Sequence, residues 1–224
     1  MNKEERVGDF VIVTFVVGPA ATNAYLVGNS GTDSSVVIDP AWQGEMIVKE
    51  AERRGWKIGS IWLTHAHFDH FGGAAAVADA TPGPPPVALH PEDMSLWRLH
   101  GGAALFGFPT FDPGPEPTID LEHGMELQLD THSFEVRHTP GHTQGHVMFL
   151  QREAEIAFCG DLIFQGSVGR TDLPGGDWQT LMKSIREDVL NLSDETRLFS
   201  GHGPMTTVGH ERLTNPFITG EIHL

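Results

Sequence analysis

Disulfide bonds have no place in this chain: its 224 residues include one cysteine, Cys159, which excludes an internal disulfide framework and fits a reducing compartment. Cationic side chains are also scarce, with 14 Lys and Arg against 30 Asp and Glu, for a formal net charge of −16. Such a surface repels phosphate-rich polymers and anionic membranes, so neither nucleic acid nor a membrane is expected as a partner. Long apolar runs are missing: residues 10–21 are too short to span a bilayer and are broken by Thr14 and Gly18. The start, Met1-Asn2-Lys3-Glu4-Glu5-Arg6, has no basic stretch leading into an apolar one, so no secretory or transit peptide is read and the expected location is cytoplasmic. With no linker, no low-complexity segment and no internal repeat of roughly 20 to 50 residues, one domain spanning residues 1–224 is expected.

What is present is a succession of short apolar runs bounded by Gly and Pro. Runs rich in β-branched and aromatic residues predict strands over residues 10–17, 23–27, 35–38, 58–63 and 87–90, and again over 125–129, 133–138, 147–151, 156–159 and 197–200. Helical spacing of Ile47, Val48 and Ala51 predicts a helix over 43–54; others are expected over 71–78, 91–105 and 177–190. Residues 106–117 read as a Pro/Gly-rich connection. Several strands followed by helices in each half predict two sheets packed face to face with helices outside.

Histidine is over-used, with 13 copies, several in tight polar groups. His65, Ala66, His67, Phe68, Asp69 and His70 directly follow a predicted strand. Histidines separated by one residue in a turn can aim both imidazoles at one point beyond the strand end, and Asp69 and His70 follow closely enough to serve a second ion. His142, Asp161 and His202 also follow predicted strands, each beside a glycine, which lets the backbone turn sharply and approach a site closely.

These elements in this order resemble the metallo-β-lactamase superfamily, over most of the chain from residue 36 to 202. Within it, Thr139-Pro140-Gly141-His142-Thr143-Gln144-Gly145-His146, the pair Gly169-Arg170 and residues 166–177 are similar to glyoxalase II and its short bacterial relatives. The resemblance implies an α/β (α+β) four-layer αββα sandwich. It implies two divalent metal ions, zinc before iron or manganese: His65, His67 and His142 on one, Asp69, His70 and His202 on the other, and Asp161 bridging. Imidazole suits zinc or iron, and a carboxylate can span two ions. The implied reaction is hydrolysis of a thioester or related activated ester, a small-molecule substrate, by a hydroxide held between the metals, with Asp69 both binding metal and orienting the hydroxide proton. A thiolate with a pKa near ~8.5 can leave without a strong general acid. Glyoxalase II carries a C-terminal helical region that binds glutathione, whereas 22 residues follow His202 here, so no separate substrate-binding domain is expected.

Three residues keep two readings each. His146 is either a group that supports the ligands from behind or a core histidine. Asp39 either buttresses a metal-bound histidine or caps the turn at Pro40. Arg170 either meets a substrate carboxylate or is a solvated surface residue. Cys159, Met182, His90, His100, His123, His132, His138, His210 and His223 are assigned to structure or solvent. Competing functions are a mononuclear iron persulfide dioxygenase, against which His146 argues, a lactonase, a β-lactamase, and a non-catalytic metal-stabilised interaction domain.

Overall fold

Alternation along the strands divides the apolar side chains of this protein among three cores. The computed structural model describes residues 2–108 and 111–222. Its first sheet contains β1 (Lys3–Val7), β2 (Phe10–Val17), β3 (Thr22–Asn29), β4 (Ser34–Ile38), β5 (Lys57–Trp62), β6 (Val87–Leu89) and β7 (Ile119–Asp120), in that spatial order. The pairs from β1 to β4 are antiparallel and those from β4 to β7 parallel. The second half supplies β8 (Glu126–Leu129), β9 (His132–His138), β10 (Val147–Gln151), β11 (Ile156–Gly160), the small hairpin β12 (Ile163–Phe164) and β13 (Ser167–Val168), β14 (Arg197–Ser200) and β15 (Thr206–Thr207). The second sheet runs β15-β14-β11-β10-β9-β8, with β11 and β14 parallel.

Phe10 and Ile12 of β2, Tyr25 and Val27 of β3, and Trp62 of β5 face Phe134, Phe149 and Phe158 of the second sheet in the central core. The intervening residues Val13, Phe15, Leu26 and Ile61 pack outward against Ile47, Val48 and Ala51 of α1 (Gly44–Arg54). Across the molecule, Met148, Leu150 and Cys159 meet Leu181 and Ile185 on the other outer face. Two sheets with helices on both outer sides make the expected four layers. A one-residue register slip would exchange two cores at once, so the pairing is tightly specified. Burial on both faces also explains why these strands read as continuous apolar runs.

The helices depart from the expectation in detail. The segment expected as a helix over 71–78 is α2 (Phe68–Phe71) followed by α3 (Ala74–Ala80), so Asp69 and His70 stand in a helical turn. The helix expected over 91–105 is broken: a 3₁₀ turn (Pro91–Asp93), α4 (Met94–Arg98), then a 3₁₀ stretch (His100–Phe106). Gly101 and Gly102 have φ of 60° and 73° there, and a Cβ on Gly101 would lie 2.2 Å from the Phe68 nitrogen. Close contact with α2 thus requires glycine and interrupts the helix. The helix expected over 177–190 is α5 (Trp178–Ser184), capped by the Asp177 side chain, continuing as a wider π turn (Ile185–Val189). The short strands β1, β7, β12, β13 and β15 and the helices α6 (Val208–Thr214) and α7 (Pro216–Thr219) were not expected. Among the described residues, no helix is long and apolar enough to cross a membrane. His223 lies outside the described residues.

Phe158 is fully buried between the sheets, its ring 5.1 Å from Tyr25 and 5.1 Å from Phe199. Phe158→Ala should cost about 3–5 kcal/mol, read as a lower denaturation midpoint at unchanged urea dependence.

Candidate metal centre

The carboxyl ends of β4 and β5 in one sheet and of β9, β11 and β14 in the other meet at one edge, and every candidate ligand follows one of these strands. Backbone and side-chain bonds stitch that edge: Val147 N donates to the Thr64 carbonyl (2.8 Å), Asn23 N to the Gly201 carbonyl (2.7 Å), and the Tyr25 hydroxyl to the Ser200 carbonyl (2.6 Å). His65, His67, Asp69, His70, His142 and Asp161 are buried, and His202 is partly exposed.

The side chains form two adjoining groups. Ligand-type atoms of His65, His67 and His142 lie within 4.8 Å of one another, as do those of Asp69, His70 and His202. His67 Nδ1 is 2.8 Å from His142 Nε2. Asp161 stands between the groups: Oδ2 is 3.5 Å from His142 Nε2 and 3.5 Å from His202 Nε2, and Oδ1 is 3.3 Å from His70 Nε2.

Hydrogen bonds away from the cluster's interior set the tautomers of His65, His70, His142 and His146. His142 Nδ1 donates to the Arg170 carbonyl (2.7 Å), which can only accept, so Nε2 carries the lone pair. Thr64 Oγ1 donates to Asp39 Oδ2 (2.6 Å) and therefore accepts from His65 Nδ1 (3.0 Å). Asp39 Oδ2 also accepts from His70 Nδ1 (2.9 Å), and Oδ1 from Thr64 N (2.8 Å). Asp39 thus supports His70 directly and His65 through Thr64. His146 Nε2 accepts the Asp161 backbone N–H (3.1 Å), which leaves Nδ1 to donate to Thr139 Oγ1 (2.9 Å). His146 is at once fully buried and the support of the Asp161 backbone. The Arg170 guanidinium makes a two-pronged pair with Asp172, at 2.8 and 2.7 Å, and its side chain is half-exposed. What Arg170 offers the ligands is its carbonyl.

Burial, then neighbouring histidines, pushes His65 and His146 well below the usual imidazole range; His142 is lowered mainly by burial. The neutral ring is the metal-binding form. His70 and His202 go the other way: burial opposes protonation, but Asp161 and Asp69 prevail, lifting His202 to about 9. Burial would raise the Asp161 carboxyl, yet His70 and His202 hold it well below the usual carboxylate range.

Among the described residues, three buried atoms on the inner side of the cluster find no hydrogen-bond partner: His65 Nε2, His70 Nε2 and Asp161 Oδ1. Buried polar atoms are ordinarily satisfied. Imidazole and carboxylate atoms converging in this way fit divalent metal ions, whose binding releases ring protons. A cavity of about 190 Å³ opens onto the cluster, lined on its other side by Ala20, Phe68, Phe106, Leu173 and Arg170. A larger hollow of about 430 Å³ lies beside Trp56 and Pro82, away from all these groups. His90, Glu92 and His138 also approach one another, but the two imidazoles stack face to face at 4.1 Å and His138 Nε2 donates to the Gln144 carbonyl.

Thr22, Thr64 and Asp93 escaped the sequence reading. Thr22 Oγ1 donates to Asp69 Oδ2 (2.8 Å) from β3, 47 residues away, and no local pattern announces that contact. Thr64, next to His65, could have been read as part of the ligand string.

A family model described as the metallo-β-lactamase superfamily matches residues 17–202. The hydroxyacylglutathione hydrolase GloC of Haemophilus influenzae is 36% identical over 189 residues, covering 84% of this chain and 89% of that protein. The solved structure of the BLEG-1 B3 metallo-β-lactamase is 38% identical with a TM-score of 0.86, over 93% of this chain and 100% of that one. TTHA1623, solved in a di-iron-bound form, is 42% identical with a TM-score of 0.81, over 91% and 98%.

A Cβ on Gly201 would fall 2.2 Å from Asp161 Oδ1 and 2.6 Å from His70 Cε1. Gly201→Ala should therefore lower metal content after dialysis by roughly tenfold or more with an unchanged far-ultraviolet circular dichroism spectrum; full metal retention would contradict this geometry.

Proposed function

This chain belongs to the metallo-β-lactamase superfamily, and from that premise we propose that it is a two-metal hydrolase of a thioester or related activated ester. The observation that carries the reading is Asp161, buried between two trios of ligand-type side chains with Oδ1 unpartnered. His65, His67 and His142 would hold one ion, Asp69, His70 and His202 the other, and Asp161 both. Zinc suits this His/Asp set, and the di-iron form of TTHA1623 makes iron the second candidate. Bound there, such ions polarise a carbonyl and lower the pKa of water.

The chain's own groups supply the rest. Thr22 holds Asp69 through Oδ2. Asp69 lines the cavity and can both bind metal and orient the proton of the attacking hydroxide. Phe68, Phe106 and Leu173 give the acyl group an apolar wall and keep bulk water from it. A thiol leaving group needs no general acid. GloC, a hydroxyacylglutathione hydrolase, supports the thioester; BLEG-1, a B3 metallo-β-lactamase, favours β-lactams as the second substrate class.

The reading takes residues 1–224 as one domain acting on a small molecule in a reducing cytoplasm. Cys159 is fully buried in the outer core beside Leu181 and Ile185 and does not line the cavity, so it has no part in the proposed chemistry. Protein loaded with zinc or iron should bind two equivalents and cleave thioesters faster than lactones or β-lactams. Oxygen-dependent turnover of a persulfide, without ester cleavage, would refute hydrolysis. Asp161→Ala should lose metal and at least about a thousandfold in turnover, the scale of losing a charge-stabilising group; full activity would refute the bridging role.

A further inference from the structure

The His65, His67 and His142 trio is assembled from two loops belonging to different sheets, residues 63–67 after β5 and residues 139–146 between β9 and β10. One buried carboxylate reaches both. Asp93, 1% exposed, accepts at Oδ2 from Ala66 N (2.9 Å) and from Thr143 Oγ1 (2.8 Å), and at Oδ1 from Gly145 N (2.7 Å). Ala66 sits between His65 and His67, and Thr143 follows His142, so the three bonds fix the two loops at the ligands themselves.

All three partners donate, so the site demands an acceptor on both oxygens. An amide in place of the carboxylate would turn an N–H₂ group toward a buried N–H. Gly145 permits the approach: a Cβ there would lie 2.6 Å from Asp93 N and 2.9 Å from Asp93 Cγ. Asp93 is itself held by the 3₁₀ turn that opens after His90, where its N–H donates to the His90 carbonyl (3.0 Å). Asp39 grips His70 of the neighbouring group and, through Thr64, His65 of this one. The cluster thus has two carboxylate supports, of which Asp93 alone reaches the His142 loop.

We propose that Asp93 is a positioning residue that sets the spacing of His67 and His142, and with it the affinity of the ion held by His65, His67 and His142. This rests on the two-metal reading. The test is titration of metal-stripped protein with Zn²⁺ against a competing chelator, and with Co²⁺ followed by absorption, for the parent chain, Asp93→Asn, Thr143→Val and the double variant. In Asp93→Asn one of two equivalents should weaken by about 10- to 100-fold, with the other within about threefold, and the Co²⁺ spectrum should change for the weakened equivalent. Thr143→Val, which removes one hydroxyl at nearly constant shape, should weaken the same equivalent by roughly three- to tenfold, less than additively with Asp93→Asn.

Equal weakening of both equivalents, or parental affinity in both single variants, overturns the proposal. Should Asp93→Asn fail to fold, Thr143→Val decides by the same comparison. Uptake of one equivalent by the parent chain would overturn the two-metal reading instead, and Asp93 would then be judged by whether Thr143→Val weakens that equivalent.

Discussion

Six imidazoles (His65, His67, His70, His142, His146 and His202) and four carboxylates (Asp39, Asp69, Asp93 and Asp161) crowd one edge of this protein, nearly all withdrawn from water. Burying an ionised carboxylate costs several kcal/mol unless charge or hydrogen bonds compensate it. Here the compensation is divided. The outer nitrogens of His65, His70, His142 and His146 are satisfied by Thr64, Asp39, the Arg170 carbonyl and Thr139, while His65 Nε2, His70 Nε2 and Asp161 Oδ1 on the inner side find no hydrogen-bond partner among the described residues. A polar cluster saturated outside and unsaturated inside is arranged for cations. That asymmetry distinguishes it from an ordinary buried network, in which every member finds a partner.

The sheets make this arrangement possible. Strands from both halves end at the same edge, and the central core of aromatic side chains holds the sheets at fixed separation. At the ligands, backbone must come closer than side chains allow. Gly160, Gly169 and Gly201 each stand where a Cβ would strike Thr64, Asp161 or His70. The energetic consequence is that the centre shares the stability of the sheet edge that carries it.

Charge outside the centre follows a different logic. Most of the acidic residues behind the net charge of −16 lie on the surface, some in exposed salt bridges such as Lys57 with Asp33 and Arg98 with Glu116, and exposed pairs contribute little to stability. Arg170, beside the cavity, is already engaged by Asp172. The cavity wall beside these side chains includes Phe68, Phe106 and Leu173.

Much of this was legible in the residues. Ten predicted strands appear with ends shifted by at most two residues, because β-branched runs between Gly and Pro are local signals. The string His65 to His70 announced a cluster of ligand-type side chains, which the fold brings together after β5. The broken helix after Pro91 was not legible, because Gly101 answers to α2 across the loop rather than to its own neighbours. Nor was Asp93, which reads as an ordinary residue at a helix start. Local chemistry, the strand periodicity and the ligand string, was determined by sequence alone. Which atoms carry lone pairs, and which carboxylates support which groups, was decided only by the tertiary structure, because a tautomer is set by the hydrogen-bond partner, and Asp39 stands 31 residues from His70 and Arg170 28 residues from His142 along the chain.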